Sequence, residues 1–225
     1  MSPTSRQRST RDRPAKAPLS EDAVIDAALA ILKSDGLAAV SMRRVATALD
    51  TGAGSLYVYV SGRDALLQAM QDRVIATIEL ETPNSSRWRT QLHSLLGRMR
   101  HALLAHPGIA AAAMGSPPRT EASLRLLENL LGILLAGDIE PQRAVWATDV
   151  LAALVSHAAV EDDLRRGAGQ EWVGELRQTF ADLPSDRFPL ISTHAAQLTA
   201  GNSDERFRFA VDVVVDGLLA GANPA

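Results

Sequence analysis

Apolar residues recur at three- and four-residue intervals along most of the chain, and no segment alternates with a period of two over a useful length. The pattern predicts an all-α fold. Ser20 caps a first helix that carries Glu21 and Asp22 in its opening turn and turns Val24, Ile25, Ala28, Leu29, Ile31 and Leu32 inward, with Gly36 as its stop. Ser41 caps a second, with Met42, Val45, Ala46 and Leu49 at helical spacing. Asp50 and Thr51 form a tight turn, since Asp tolerates a left-handed backbone better than most residues. A third helix is expected from about Gly52 to Val60, burying Leu56 and Val60. A fourth, from Arg63 to Leu80, presents Leu66, Leu67, Met70, Val74 and Ile78.

Thr82-Pro83-Asn84-Ser85-Ser86 is the best candidate boundary. Beyond it Ser86 is expected to cap a helix through Trp88, Leu92, Leu95, Leu96, Met99 and Leu103, ending at His106-Pro107-Gly108. A short helix from Ile109 to Met114 follows, then one from Thr120 to Ala136 with Leu124, Leu127, Leu131 and Leu134 inward. Pro141 opens a long helix to about Arg166. Trp172 to Leu183 is a weaker helix, and Asn202-Ser203-Asp204-Glu205 starts a last one through Phe207, Val211, Val214, Val215 and Leu218. Val145 to Val160 is apolar around most of its circumference. Pairing it and the last helix with their mates in a second copy would make a four-helix bundle across a two-fold axis, unless both simply fill the core of one chain.

Residues 41–67 say most about function. Two short helices joined by a tight turn, the second opening on the small residues Gly52, Ala53, Gly54 and Ser55, are the arrangement that sets a helix in the major groove of DNA. Arg43 and Arg44 stand in a first turn, where the helix dipole disfavours a cation by roughly 0.3–1 kcal/mol. A phosphate or a guanine edge would reverse that sign, whereas a solvated face with packed stems is the bland alternative.

The segment resembles the helix-turn-helix of the TetR family of bacterial repressors: Leu49, Ser55-Leu56-Tyr57, Tyr59-Val60, Arg63 and Leu66-Leu67 fall in that family's register. Asp50 stands where the family's turn usually has Gly, and Gly62 precedes Arg63. The resemblance implies a DNA-contacting set of Ser41, Arg43, Arg44, Thr51, Gly52, Ala53, Ser55, Tyr57, Tyr59 and Arg63. Within it Arg43 falls at a base-reading position and Arg63 at a phosphate-contacting one. It also implies a homodimer on a double-stranded operator, released by a small-molecule effector. Trp88, the Ala-Leu-Leu-x-His of residues 102–106 and Leu127-Glu128-Asn129 further resemble the tetracycline-repressor C-terminal domain. Ala113 replaces the metal-binding histidine of that group, and Glu161 alone near a carboxylate position makes a poor metal site, so neither metal nor cofactor is expected.

Net charge is −3, unevenly spread. Residues 1–18 carry Arg6, Arg8, Arg11, Arg13 and Lys16 against Asp12, a basic Ser/Thr/Pro-rich segment expected to be disordered, either a DNA-contacting arm or a solubilising tail. The expected division is therefore a basic arm (1–18), a DNA-binding unit (19–80) and a helical ligand-binding and dimerisation unit (86–221). The chain has no cysteine, its start lacks a signal-peptide pattern, and its strictly apolar runs fall far short of a bilayer, which together suggest a cytoplasmic protein away from membranes.

An effector cavity in the second unit would draw on Met99, His106, Met114, Ser116, Leu130, Trp146, Thr148 and Asp149. Thr148-Asp149 is the oddity, a polar pair within a nearly apolar helix that must meet a partner or face a ligand. His106 reads as a helix-end residue bonding nearby carbonyls ahead of a ligand contact. An enzyme is not expected: no histidine follows Glu by three positions, and His-Glu-x-x-His, phosphate-loop and Gly-x-Ser-x-Gly patterns are missing. The sequence reads as a DNA-binding transcriptional regulator, a repressor released from a palindromic operator by a small, mainly apolar effector. The alternative is a ligand-binding or adaptor protein that keeps the fold without the DNA function.

Overall fold

The computed structural model describes residues 18–113, 117–168 and 171–220, and every regular element among them is helical. In order these are α1 (Glu21–Asp35), α2 (Met42–Ala48), α3 (Ala53–Leu56), α4 (Arg63–Ala76), α5 (Trp88–Leu104), α6 (Ile109–Ala113), α7 (Glu121–Ala136), α8 (Pro141–Ala168), α9 (Glu171–Ala181), α10 (Pro189–Leu198) and α11 (Ser203–Ala220). The basic arm through residue 17, together with Met114 and Ser116, lies outside the described residues.

Local chemistry sets several helix starts. Ser20 accepts from the N–H of Ala23 and Ser41 from that of Arg44. Thr120 and Ser123 cap α7 reciprocally, as Asn202 and Glu205 cap α11. The Glu140 carboxylate accepts from the N–H groups of Gln142 and Arg143 at the head of α8, and those two bonds hold its pKa below the ordinary value. Ser86 is not a cap: its N–H and hydroxyl both bond Asn84, and α5 begins two residues later.

Two clusters of buried side chains organise the helices. The first gathers Val24, Ala28 and Leu32 of α1, Val45 of α2, Leu56 of α3 and Leu66 and Met70 of α4. The second is built from Leu92, Leu95 and Leu96 of α5, Leu130 and Ile133 of α7, Leu151 and Val155 of α8, and Val211 and Val215 of α11. Ile109 of α6 comes from the second half of the chain yet is fully buried in the first cluster.

Three further expectations need correction. The third helix is one turn, Ala53–Leu56, continued by turn residues to Tyr59. The fourth stops at Ala76, because Thr77 turns its hydroxyl onto the Val74 carbonyl and the chain tightens to i−3 bonds at Thr77 and Ile78. The buried face of α7 is Leu126, Leu130, Ile133 and Leu134, with Leu124 exposed, since leucines surround this helix and packing chooses the side. Helix α10 was not anticipated from the sequence. It buries no side chain fully, so it leaves no clear stripe.

Helix α8 is long and apolar enough over Pro141–Gly167 to cross a bilayer by length and composition. Here it packs against α5, α6, α7 and α11 and buries Ala144, Leu151, Val155 and Ala159, as a bundle helix does.

Gly137 closes α7 under the indole of Trp88. A Cβ there would lie 2.6 Å from Cε2 and 2.8 Å from Cε3, and nearer still to Cδ2. Gly137→Ala should therefore force the ring aside and cost about 1–3 kcal/mol, read as a lower urea midpoint with an unchanged slope.

Candidate nucleic-acid interface and ligand cavity

The turn between α2 and α3 depends on one backbone conformation. Asp50 adopts φ 49°, and the N–H of Thr51 returns to the Ala46 carbonyl at 2.9 Å, the closure of a helix by a left-handed residue. Asp can hold that conformation, so the departure from the family's Gly leaves the turn intact. Val45, Ala46 and Leu56 anchor the pair in the first cluster. What remains outside is a surface of Arg43 and Thr47 from α2 with Gly52, Gly54, Ser55, Tyr57 and Val58, all exposed.

The candidate DNA residues divide by their partners. Arg43 is exposed, and its side chain has no acidic partner among the described residues. Arg44 pairs with Asp35 at 2.6 Å, so part of its guanidinium is already engaged. Ser41 is the α2 cap, half-buried like Thr51 and Ala53. The Tyr59 hydroxyl donates to the Leu19 carbonyl at 2.7 Å, tying the chain before α1 to the turn that follows α3. Arg63 Nε donates to the Val40 carbonyl at 3.1 Å and Nη2 to that of Leu37 at 3.4 Å, which fastens the start of α4 to the loop before α2. Val58, 81% exposed, was missed in the sequence because it falls off the buried stripe of Leu56 and Val60.

A cavity of about 170 Å³ opens between α4, α5, α7 and α8. Its walls are mainly aliphatic, including Val74, Ile75, Met99, Leu126, Leu130 and Val155, with polar groups from Gln68, Gln71, Asp72, Ser123, Thr148 and Ser156. Of the sequence candidates, Met99, Leu130 and Thr148 line it. Thr148 is 5% exposed and gives its hydroxyl to the Val145 carbonyl at 2.7 Å, which supplies the partner that burial requires. Trp146 and Asp149 instead face outward on α8, because a helix turns successive residues about 100° apart. His106 stands outside the cavity lining with Nδ1 3.1 Å from the Ala102 carbonyl, the helix-end alternative. No group of three or more His, Cys, Asp or Glu that could hold a metal occurs among the described residues.

One helix, α4, runs from the cluster that anchors α2 and α3 to the cavity. Six of the lining residues belong to α4 or its extension at Ile78, and α4 starts at Arg63 beside α3. Asp72 accepts from the Thr120 hydroxyl at 2.7 Å and so joins α4 to the cap of α7. Asp163 of α8 accepts from the N–H of Gly108 at 2.9 Å, holding the entry to α6 whose Ile109 plugs the first cluster.

Two family models match, one for "Bacterial regulatory proteins, tetR family" over residues 24–70 and one for "Tetracyclin repressor-like, C-terminal domain" over residues 81–221. Over 221 residues the chain is 28% identical to the HTH-type transcriptional repressor DrrR1 of Streptomyces coeruleorubidus, covering 93% of this chain and 82% of that one. The crystal structure of apo ActR from Streptomyces coelicolor matches with a TM-score of 0.86 at 33% identity, over 92% of this chain and 98% of that one. ActR in complex with actinorhodin matches at 0.85 and 33%, over 91% and 97%. With its helix-turn-helix and its helical second half each matched, the chain belongs to the TetR family of DNA-binding transcriptional regulators.

Proposed function

We propose that this regulator is a repressor, acting in the cytoplasm as a homodimer on a near-palindromic operator. It is released when a small, mainly apolar effector enters the cavity between α4 and α8. The observation that carries the proposal is the reach of α4, which lines that cavity and begins beside the reading helix. On this reading residues 19–80 read DNA and residues 86–221 bind the effector and the second copy. Ser41, Arg44, Thr51, Gly52, Ala53, Ser55, Tyr57 and Tyr59 border the groove, and the arm of residues 1–18 adds charge to the DNA side. ActR, bound to actinorhodin in its solved complex, supports a small-molecule effector by likeness.

Release follows if the effector favours a dimer whose two reading helices are wrongly spaced for successive major grooves. Coupling is reciprocal, so operator DNA must weaken the effector by the factor by which the effector weakens DNA, about 5–150-fold for 1–3 kcal/mol.

The arginines give the test. Arg43→Ala should flatten discrimination at one position of each half-site by roughly 1–3 kcal/mol, since Arg43 is the base reader. Arg63→Ala should weaken all duplexes about equally and also lower thermal stability, because it removes the tether to Val40 and Leu37. Competition gel shifts on single-base operator variants decide the first, and equal loss on every sequence for Arg43→Ala would end the base-reading role.

A further inference from the structure

Resting on the cavity as the effector site, we infer that its effector is a cationic amphiphile whose protonated amine is read by Asp72. Asp72 is the one charged residue among the described lining, and no Lys, Arg or His joins it. Arg73, next in the chain, turns the other way and pairs with Asp22 and Asp26 of α1. Arg125 lines the shallow surface grooves beside Leu80 rather than this cavity.

An anionic ligand would thus be buried among aliphatic side chains beside a carboxylate, with no counter-charge for either. An ammonium group would meet the Asp72 carboxylate with the amide oxygens of Gln68 and Gln71 on the same helix, while its chain lay along Ile75, Leu126, Leu130 and Val155. The same contact reaches DNA binding. Asp72 accepts the Thr120 hydroxyl that caps α7, and an ammonium competing for that carboxylate alters the one side-chain bond joining Asp72 to α7. Recognition of the charge and displacement of α4 are then a single event.

The cavity encloses about six or seven non-hydrogen atoms, since an engineered cavity of about 150 Å³ admits benzene, and its open side lets the end of a longer chain protrude. Calorimetric titration of the full-length protein with octylammonium, 1-octanol and octanoate isolates the head group on one chain length. Octylammonium should bind at least about tenfold more tightly than octanoate, with octanol between them. Asp72→Asn, which keeps an acceptor for Thr120, should bring octylammonium to within about twofold of octanol. Octanoate binding as tightly as octylammonium to the unmodified protein overturns the charge assignment and leaves the cavity as the effector site. An amine advantage that survives Asp72→Asn overturns the role of Asp72. If none of the three binds, or if Ala102→Phe, which fills the cavity, changes nothing, the cavity reading itself falls and the inference with it.

Discussion

Phe209→Asp is expected to split the proposed dimer and to lower operator affinity by about 10²–10⁴-fold, because linkage of two DNA-binding units is lost. Phe209 is 70% exposed on α11 and Val213 54%, while Trp146 and Val150 stand out from the neighbouring α8 at 63% and 51%. These pairs, each spaced by four residues, run along adjoining helices that pack on one another. A single chain leaves them in water, whereas a two-fold partner would bury them. An aspartate at 209 would then be buried twice per dimer without a counter-ion, which costs far more than one side chain's apolar contact. The isolated fold should survive, since Phe209 contributes little to the monomer's core. Sedimentation should show a monomer with unchanged helicity by circular dichroism. A variant that stays dimeric and binds operator normally would place the interface elsewhere.

Arg100→Met should cost about 3–5 kcal/mol of stability, because it strands Asp162, 8% exposed, without its partner. Arg100 Nε lies 3.0 Å from Asp162 Oδ2, another arm reaches Asp204, and the guanidinium sits 5.1 Å from the Phe207 ring centroid. One side chain therefore joins α5, α8 and α11. Burial acts against its charge most strongly, but the hydrogen bonds it donates to Asp204 and Asp162 outweigh it and leave the Arg100 pKa raised. At this chain length the melting point should fall by roughly 6–20 °C. Adding Asp162→Leu should recover most of the loss, since an apolar pair of similar volume can replace a buried ion pair. No recovery would mean that Arg100 stabilises through packing on Phe207 instead.

The same network fixes a direction for pH. The Arg100 hydrogen bond holds the Asp204 pKa below its ordinary 3.8. The stabilisation is thus complete above that value and is lost as pH falls through the folded one. Acid should therefore destabilise the unmodified protein more than Arg100→Met, whose Asp204 has no such bond to lose.

What could be read from the sequence was what local chemistry decides. Ser20 and Ser41 cap helices through an N–H three residues away, and Asp50 makes its turn through its own backbone. Positions decided by distant packing were not legible. Leucines at 124, 126, 127, 130, 131, 134 and 135 leave α7 no unique face until α5 and α8 select one. Ile78 and Leu80 continue the α4 spacing and pack on the second cluster, although the helix has already ended at Ala76. Along α8 the apolar surround hid which residues line the cavity: Thr148, Trp146 and Asp149 were all expected there, and of the three Thr148 alone lines it. The contribution of α4 to the cavity was missed altogether, because Gln68, Gln71 and Asp72 look like an ordinary solvated face.

Fluorescence anisotropy with duplex DNA from the region upstream of the protein's own gene, against random duplex of equal length over a salt series, tests the central claim most directly. The account predicts at least about 10³-fold preference for one near-palindromic site and affinity that falls steeply with salt. Equal affinity for both duplexes, or binding to neither, would contradict it and leave a ligand-binding protein that keeps the fold without the DNA function.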